Sequence, residues 1–356
     1  MFLESYRGKR IFVTGHTGFK GSWLCLWLKH LGAEVEGYAL KPRTKKDNYI
    51  VSGLRLEMGD SYQDIRDYSS LKESLIAFSP ELIFHLAAQP LVRESYAYPR
   101  ETFDVNVMGT INVLDIARNL PELRGIVNIT SDKCYENNES GHPFKESDPM
   151  GGHDPYSASK GAAELASASY RSSFFKEKNI MVSNVRAGNV IGGGDWCKDR
   201  IVTDTILACE EKRPVELRNP NAIRPWQHVL EPLSGYLQIG SKAFTPGGLN
   251  FSGGWNFGPS EESHVSVRTL VTALQNHLSF GEIRDISDKF KVHEAQTLRL
   301  DISKAKTELG WSPQLDLNTS AQWTAQWYQK LIDQPGTLMK DFTLQQIEQY
   351  QEKLEN

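Results

Sequence analysis

A tyrosine and a lysine stand four residues apart in Tyr156-Ser157-Ala158-Ser159-Lys160. On a helix that spacing puts them on one face. An ammonium beside a phenol favours the phenolate and draws its pKa down from an ordinary value of about 10. The chemistry on offer is removal of a proton from an alcohol near neutral pH. A second group, Ser131-Asp132-Lys133, supplies a hydroxyl, a carboxyl and an amine in succession. A third, Thr14-Gly15-His16-Thr17-Gly18-Phe19-Lys20-Gly21, has glycines at GxxGxxG spacing. Such glycines allow a tight turn and let backbone N–H groups meet a diphosphate at a helix start. Each signal alone is weak, since YxxxK pairs and glycine-rich turns are common. Together they suggest hydride chemistry on a bound dinucleotide.

These groups need a scaffold, and the first half of the chain reads as one. Lys9–Val13 predicts a buried strand, followed by a helix over Gly21–Leu31 with Trp23, Leu24, Trp27, Leu28 and Leu31 on one stripe. Further strands are predicted at Glu34–Leu40, before Asp64, at Glu81–Ala87, at Gly125–Ser131 and at Ile180–Arg186. Helical patterns lie around Val105–Arg118 and Ser157–Lys176. This βαβ alternation predicts an α/β fold, a Rossmann-type doubly wound parallel sheet. After about Asn189 the texture changes, with Gly192-Gly193-Gly194, Pro214, Pro220, Pro225 and Pro246-Gly247-Gly248 interrupting it. Residues 1–189 are therefore expected to bind the dinucleotide. Residues 190–356 are expected to form a smaller mixed α/β substrate domain, with later segments able to return to the sheet. The tail pairs Thr343 with Gln346 in a capping-box pattern, which predicts a final surface helix.

The chain has 356 residues and a formal net charge of -4, which calls for neither nucleic acid nor an anionic membrane. Cys25, Cys134, Cys197 and Cys209 have no metal-type spacing and read as free thiols of a reducing, cytoplasmic compartment. The start shows no apolar signal region, no stretch is long enough for a membrane span, and the histidines show no ligand spacing, so no metal is expected.

The set TGxxGFxG, His85-Leu86-Ala87-Ala88-Gln89, Ser131 and YxxxK resembles the extended short-chain dehydrogenase/reductases. So do the closing segments Asp301–Ala305 and Leu309–Pro313. In detail, Gly15–Leu24 and Thr130–Asn137 look most like the CDP-glucose group of nucleotide-sugar 4,6-dehydratases. The dTDP-glucose enzymes carry Thr-Asp-Glu where this chain has Ser131, Asp132 and Lys133, and the epimerases lack the acid. The resemblance implies a hydro-lyase of deoxysugar and lipopolysaccharide O-antigen synthesis that uses bound NAD. The alternatives are another nucleotide-sugar dehydratase or a 4-epimerase. It implies Tyr156 as base at the sugar's 4-hydroxyl, Lys160 as its electrostatic partner and ribose holder, and Ser131 on the reacting oxygen. Asp132 protonates the departing 6-hydroxyl. Lys133 is either the carbon-5 base or a charged orienting group.

The cofactor set it implies is Gly15, His16, Thr17, Gly18, Phe19, Lys20, Asp64, Ile65, Leu86, Ala87, Ala88, Tyr156 and Lys160. His16 either touches the cofactor or faces solvent. Asp67 reads as a helix cap. Lys41 and Arg43 stand where an NAD site usually carries an acid, which leaves NADP open. The substrate set is Gln89, Ser131, Asn189, Arg200 and Arg224, with Arg224 on phosphate and Gly193–Trp196 near the base. The tryptophans read as packing. A homodimer, or a dimer of dimers, through the Val105–Arg118 and Ser157–Lys176 helices is the expected assembly.

Overall fold

The computed structural model describes residues 2–137, 141–278, 282–287 and 298–355. Its centre is a sheet of seven parallel strands. In chain order these are β1 (Arg10–Thr14), β2 (Glu34–Ala39), β3 (Gly59–Tyr62), β4 (Leu82–His85), β5 (Gly125–Ile129), β6 (Met181–Arg186) and a late strand, Gly253–Asn256. Across the sheet the order is Gly253–Asn256, β6, β5, β4, β1, β2, β3. The late strand pairs in parallel with β6, Trp255 opposite Val185. The expected Rossmann-type sheet is therefore present.

Both faces of the sheet are covered, and period-two alternation sorts the side chains between them. Ile11, Val13, Leu82, Phe84, Val127, Met181 and Val185 join one apolar cluster. Phe12, Ile83, Ile126 and Val182 join the other, with Leu71, Leu75, Val113 and Leu114 from the covering helices. Helix α1 (Phe19–His30) departs from the single stripe expected of it, because Gly21 through Leu28 are all buried. It is sandwiched between the sheet and the C-terminal helix Lys340–Glu355, where Trp27 meets Tyr350 edge to face. A helix covered all round needs no polar face. Trp23, Trp27, Trp311, Trp323 and Trp327 are all core residues.

The tail also differs from expectation. Its helix starts at Lys340, so Thr343 lies inside the first turn rather than capping it. The Thr343 hydroxyl donates to the Met339 carbonyl and accepts from the Trp327 indole. Thr343, Gln346, Ile347 and Tyr350 are buried, making this a packing helix. The capping-box spacing was satisfied by a buried polar contact instead. Helix Leu230–Lys242 lies against the same cluster, and its Glu231 is fully buried. Glu231 accepts from the backbone N–H groups of Gln314 and Leu315 and from the Tyr350 hydroxyl. No helix among the described residues is long and apolar enough to cross a membrane.

Candidate active site

Strand order reverses between β1 and β4, and open α/β sheets bind ligands at the carboxyl ends of strands beside such a switch. A cleft of about 910 Å³ opens there. Every strand end of the switch region contributes to it: Gly15–Gly21 after β1, Leu40–Arg43 after β2, Asp64 and Ile65 after β3, Leu86–Gln89 after β4, Ser131–Lys133 after β5, and Ala187–Asn189 after β6. His16 is the exception in the first loop.

The loop after β1 is built for a close approach. Gly15 has a left-handed φ of 76°, and a Cβ there would lie 2.7 Å from the Ala87 nitrogen. A Cβ on Gly21 would stand 2.2 Å from the Gly15 carbonyl oxygen. Gly18 caps α1, and its face meets nothing closer than that same oxygen at 3.3 Å. Phe19, Lys20 and Gly21, the first turn of α1, line the cleft, and a helix leaves its first-turn amides without intrahelical partners. Thr14 fastens this loop to the next strand: its hydroxyl oxygen accepts from the Leu86 and Ala87 amides and lies 2.7 Å from His85 Nδ1. Burial, with Lys160 nearby, holds His85 neutral at a pKa of about 3.

His16 does not face solvent. Its ring is fully buried beneath the loop, edge-on to Tyr49 and 3.8 Å from Asp60. A Cβ on Gly37 would sit 2.4 Å from that ring, so β2 makes room for it. Burial lowers its pKa to about 4. His16 packs beneath the loop and is absent from the cleft lining. Lys20 was assigned to the same loop, but its amine reaches the reacting end of the cleft. Burial, then Arg200 and Lys160, lower it to about 8, while Asp132 and Asp195 oppose them. Asp64 lines the cleft in a fork with Arg66, and Asp67 caps the helix Tyr68–Phe78 through the Ser70 amide. Lys41 and Arg43 line the cleft beyond β2.

On the facing wall, helix Pro155–Tyr170 is capped by Asp154, which accepts from the Ser157 amide. Its first turns bring Tyr156 and Lys160 to the cleft, both nearly buried. Lys160 Nζ lies 3.4 Å from the Ile129 carbonyl. Burial holds the Lys160 amine down at about 8. Burial also pushes the Tyr156 phenol up to about 12, opposed by a hydrogen bond with Ser131 and by Arg200. Burial thus works against the phenolate, and a further cation in the cleft would favour it.

Ser131 caps the short turn Asp132–Cys134. Its hydroxyl donates to Asp132 Oδ1 at 3.0 Å, while Oδ2 has no hydrogen-bond partner among the described residues. Burial raises the Asp132 pKa against the pull of Lys133, Ser131, Lys20 and Arg224. Gly188 abuts this carboxyl so closely that a Cβ there would lie 1.7 Å from Oδ2. Lys133 is half-buried and lines the cleft.

A charged pair unforeseen from the sequence fixes this wall. Glu164 and Arg186 form a bidentate bridge with both contacts at 2.8 Å, almost fully buried. Thr130 and Asn184 donate to Glu164, and Arg186 donates to the Tyr135 hydroxyl. The network ties β5, β6 and the tyrosine helix together one turn beyond Lys160. A carboxylate in the helix and a guanidinium at the end of β6 were the available signal, since such groups are seldom buried unless paired.

Asn189, Arg200 and Arg224 all line the cleft. Asn189 has a left-handed φ of 48°, and Arg200 lies 3.4 Å from Asp195. Gln89 is on the wall, but its amide is engaged by Leu91 and Thr102. Gly193 is a packing point: a Cβ there would meet Trp327 at 2.0 Å, and its carbonyl accepts from Trp23.

A protein-family model described as GDP-mannose 4,6 dehydratase matches residues 12–324. A curated CDP-glucose 4,6-dehydratase of Salmonella typhimurium is 46% identical over 332 residues, 92% of each chain. A probable dTDP-glucose 4,6-dehydratase of Sinorhizobium fredii is 27% identical over 90% of this chain and 92% of its own. Among solved structures, a UDP-glucose 4-epimerase of Stenotrophomonas maltophila superposes with TM-score 0.79 at 20% identity over 91% of this chain and 99% of its own. A dTDP-glucose 4,6-dehydratase of Bacillus anthracis gives 0.75 at 20%, covering 91% and 97%. With the phosphate loop, the buried acid and the tyrosine–lysine helix around one cleft, these matches carry the classification: the chain belongs to the nucleotide-sugar 4,6-dehydratases of the extended short-chain dehydrogenase/reductase family.

Proposed function

We propose that the chain converts CDP-glucose to CDP-4-keto-6-deoxyglucose and water with a bound NAD. The observation that carries the reading is the buried, partly unpartnered Asp132 carboxyl beside Ser131 and Tyr156 in the same cleft as the glycine loop. A 4-epimerase needs no acid for carbon 6. The choice of CDP rests on the Salmonella relative. The residues fit the cofactor: the Gly15–Gly18 cradle and the α1 amides suit a diphosphate, Asp64 and Ile65 the adenosine, and Leu86–Ala88 the nicotinamide side. Bound there, NAD would supply the hydride acceptor for carbon 4 and the hydride donor for carbon 6, and its oxidised ring would add a cation that favours the Tyr156 phenolate.

The protein's groups move the protons. Tyr156 takes the 4-hydroxyl proton, with Lys160 beneath it holding charge and ribose. Ser131 orients the 4-oxygen. Asp132, whose hold on a proton burial strengthens, gives one to the 6-hydroxyl as it leaves. Lys133, which lines the cleft beside Asp132, removes and returns the carbon-5 proton or orients a group that does. Arg224, Arg200 and Asn189 receive the diphosphate, for which guanidinium forks are suited. The division at residue 189, with Gly253–Asn256 returning to the sheet, separates cofactor from substrate binding. We also propose a homodimer, because the helices around residues 92–118 and 155–176 leave Tyr96, Tyr98, Phe103, Met108, Leu165 and Phe174 exposed. A cytoplasmic role in making deoxysugars for surface polysaccharide fits this chemistry.

The test offers CDP-, UDP-, GDP- and dTDP-glucose with NAD and follows product mass. CDP-glucose should lose one water fastest. A product of unchanged mass would mean epimerisation, and faster loss of water from another nucleotide would refute the CDP assignment.

A further inference from the structure

The proposed reaction leaves a proton to be accounted for. Tyr156 gains one when the 4-hydroxyl is oxidised, and Asp132 must spend one when the 6-hydroxyl leaves. Asp132 is only 2% exposed, so bulk water is a poor source for recharging it. Ser131 acts on both groups. The Ser131 side chain lowers the Tyr156 phenol's pKa, and the Ser131 hydroxyl donates to Asp132 Oδ1 at 3.0 Å. Ser131 is itself buried and is held by the Lys133 amide, which donates to its oxygen at 3.3 Å.

We propose that Ser131 is a proton relay that passes the proton taken at oxygen 4 from Tyr156 to Asp132, so that it leaves in the water formed at carbon 6. The inference rests on the 4,6-dehydratase reading and adds to it a route. The balance closes. The O4–H bond breaks with its proton going to the Tyr156 oxygen, while the carbon-4 hydride goes to NAD. The phenol then gives its proton to Ser131 Oγ as the serine proton passes to Asp132 Oδ1. The carbon-5 proton leaves for the base, the C5–H pair becomes the C5=C6 bond, and the C6–O pair departs with oxygen, which takes the Asp132 proton. Tyr156 and Asp132 both end ionised, as they began. The hydride returns to carbon 6 and a proton to carbon 5. No proton need cross from bulk solvent. The same bonds explain why Ser131 and Asp132 are adjacent in sequence: the cap of the turn after β5 faces both the tyrosine and the acid.

The experiment separates relay from simple orientation of oxygen 4. CDP-glucose is compared with its 6-deoxy-6-fluoro analogue, whose fluoride leaves with little need of an acid. Ser131→Ala should lower turnover of CDP-glucose, yet raise the ratio of fluoro to natural turnover by about 100-fold, the lower end of what acid–base catalysis contributes. Asp132→Asn should raise it likewise, and Ser131→Thr should keep the wild-type ratio. An unchanged ratio in Ser131→Ala overturns the relay, because a residue that acts only on oxygen 4 slows both substrates alike. If Ser131→Ala turns over neither, Ser131→Cys, with its weaker donor, carries the same comparison. A second readout needs no turnover. In the cofactor-free protein, the infrared carboxyl band that Asp132→Asn removes should shift in Ser131→Ala, and an unshifted band refutes the hydroxyl–carboxyl link. Wild-type failure to release water from any nucleotide sugar would instead strike the underlying reading.

Discussion

Replacing Gly188 by alanine should disable the catalytic acid without unfolding the protein. The new Cβ would stand 1.7 Å from Asp132 Oδ2 and 2.3 Å from its carboxyl carbon. Real Cβ contacts are essentially never closer than 3.0 Å, so the carboxyl must retreat by 3.0 − 1.7 = 1.3 Å. It is short, nearly buried and hydrogen-bonded to Ser131, so the retreat breaks that bond. Misplacement of a catalytic group by about 1 Å costs on the order of 100-fold in rate, or about 2.7 kcal/mol of barrier. The loss should fall on elimination. In single-turnover quench experiments, oxidation at carbon 4 should proceed and the 4-ketoglucose intermediate should accumulate. Thermal stability should change little, because the residue sits in a loop without a left-handed φ. Wild-type kcat in Gly188→Ala, or equal slowing of oxidation and elimination, would refute the placement of Asp132 as acid.

Tyr156→Phe should abolish turnover while cofactor affinity, read by fluorescence titration, stays near wild type; an active variant excludes the phenolate as base. Glu164→Ala leaves Arg186 buried without its partner and should cost about 3–5 kcal/mol in urea unfolding, whereas a surface-like loss under about 1 kcal/mol would contradict the network's burial. Burial pushes the Glu231 carboxyl up to about 7 from an ordinary 4.5. Because the folded state holds this proton more tightly than the unfolded one, its stabilising effect is complete below about 4.5 and is lost as pH rises through about 7. Glu231→Gln should remove on the order of 3 kcal/mol of that decline, and an unchanged pH–stability slope would refute it. Binding titrations with NAD and NADP test Lys41 and Arg43: Arg43→Ala should weaken NADP more than NAD, and equal effects would mean neither cation meets a 2′-phosphate.

The sheet was readable because parallel strands buried on both faces announce themselves as apolar runs, and β1, β2, β4, β5 and β6 lie within a residue or two of expectation. Gly15, Asp64, Gln89, Ser131 and Asn189 were readable because they follow strand ends, and Tyr156 and Lys160 because of their helical spacing. Three features were not. Covering by the Lys340–Glu355 helix erased the one-sided pattern expected of α1, since burial all round has no period. His16 was hidden because a polar residue in a glycine loop reads as ligand or solvent contact, and only Gly37 opposite creates its cavity. The Glu164–Arg186 bridge joins a helix to a strand 22 residues away, a separation at which no local spacing rule operates. Lys20 shows a related limit: its place in the loop was evident, but its direction toward Asp132 and Lys160 depends on the crossing of α1 over the sheet.

The central claim is that one cleft removes hydride from carbon 4 and returns it to carbon 6 while a buried acid expels water between the two events. CDP-glucose carrying deuterium at carbon 4 tests it directly. The account predicts a dehydrated product with deuterium at carbon 6 and no net change in cofactor absorbance. Deuterium retained at carbon 4, washed into solvent or left on released cofactor would contradict it.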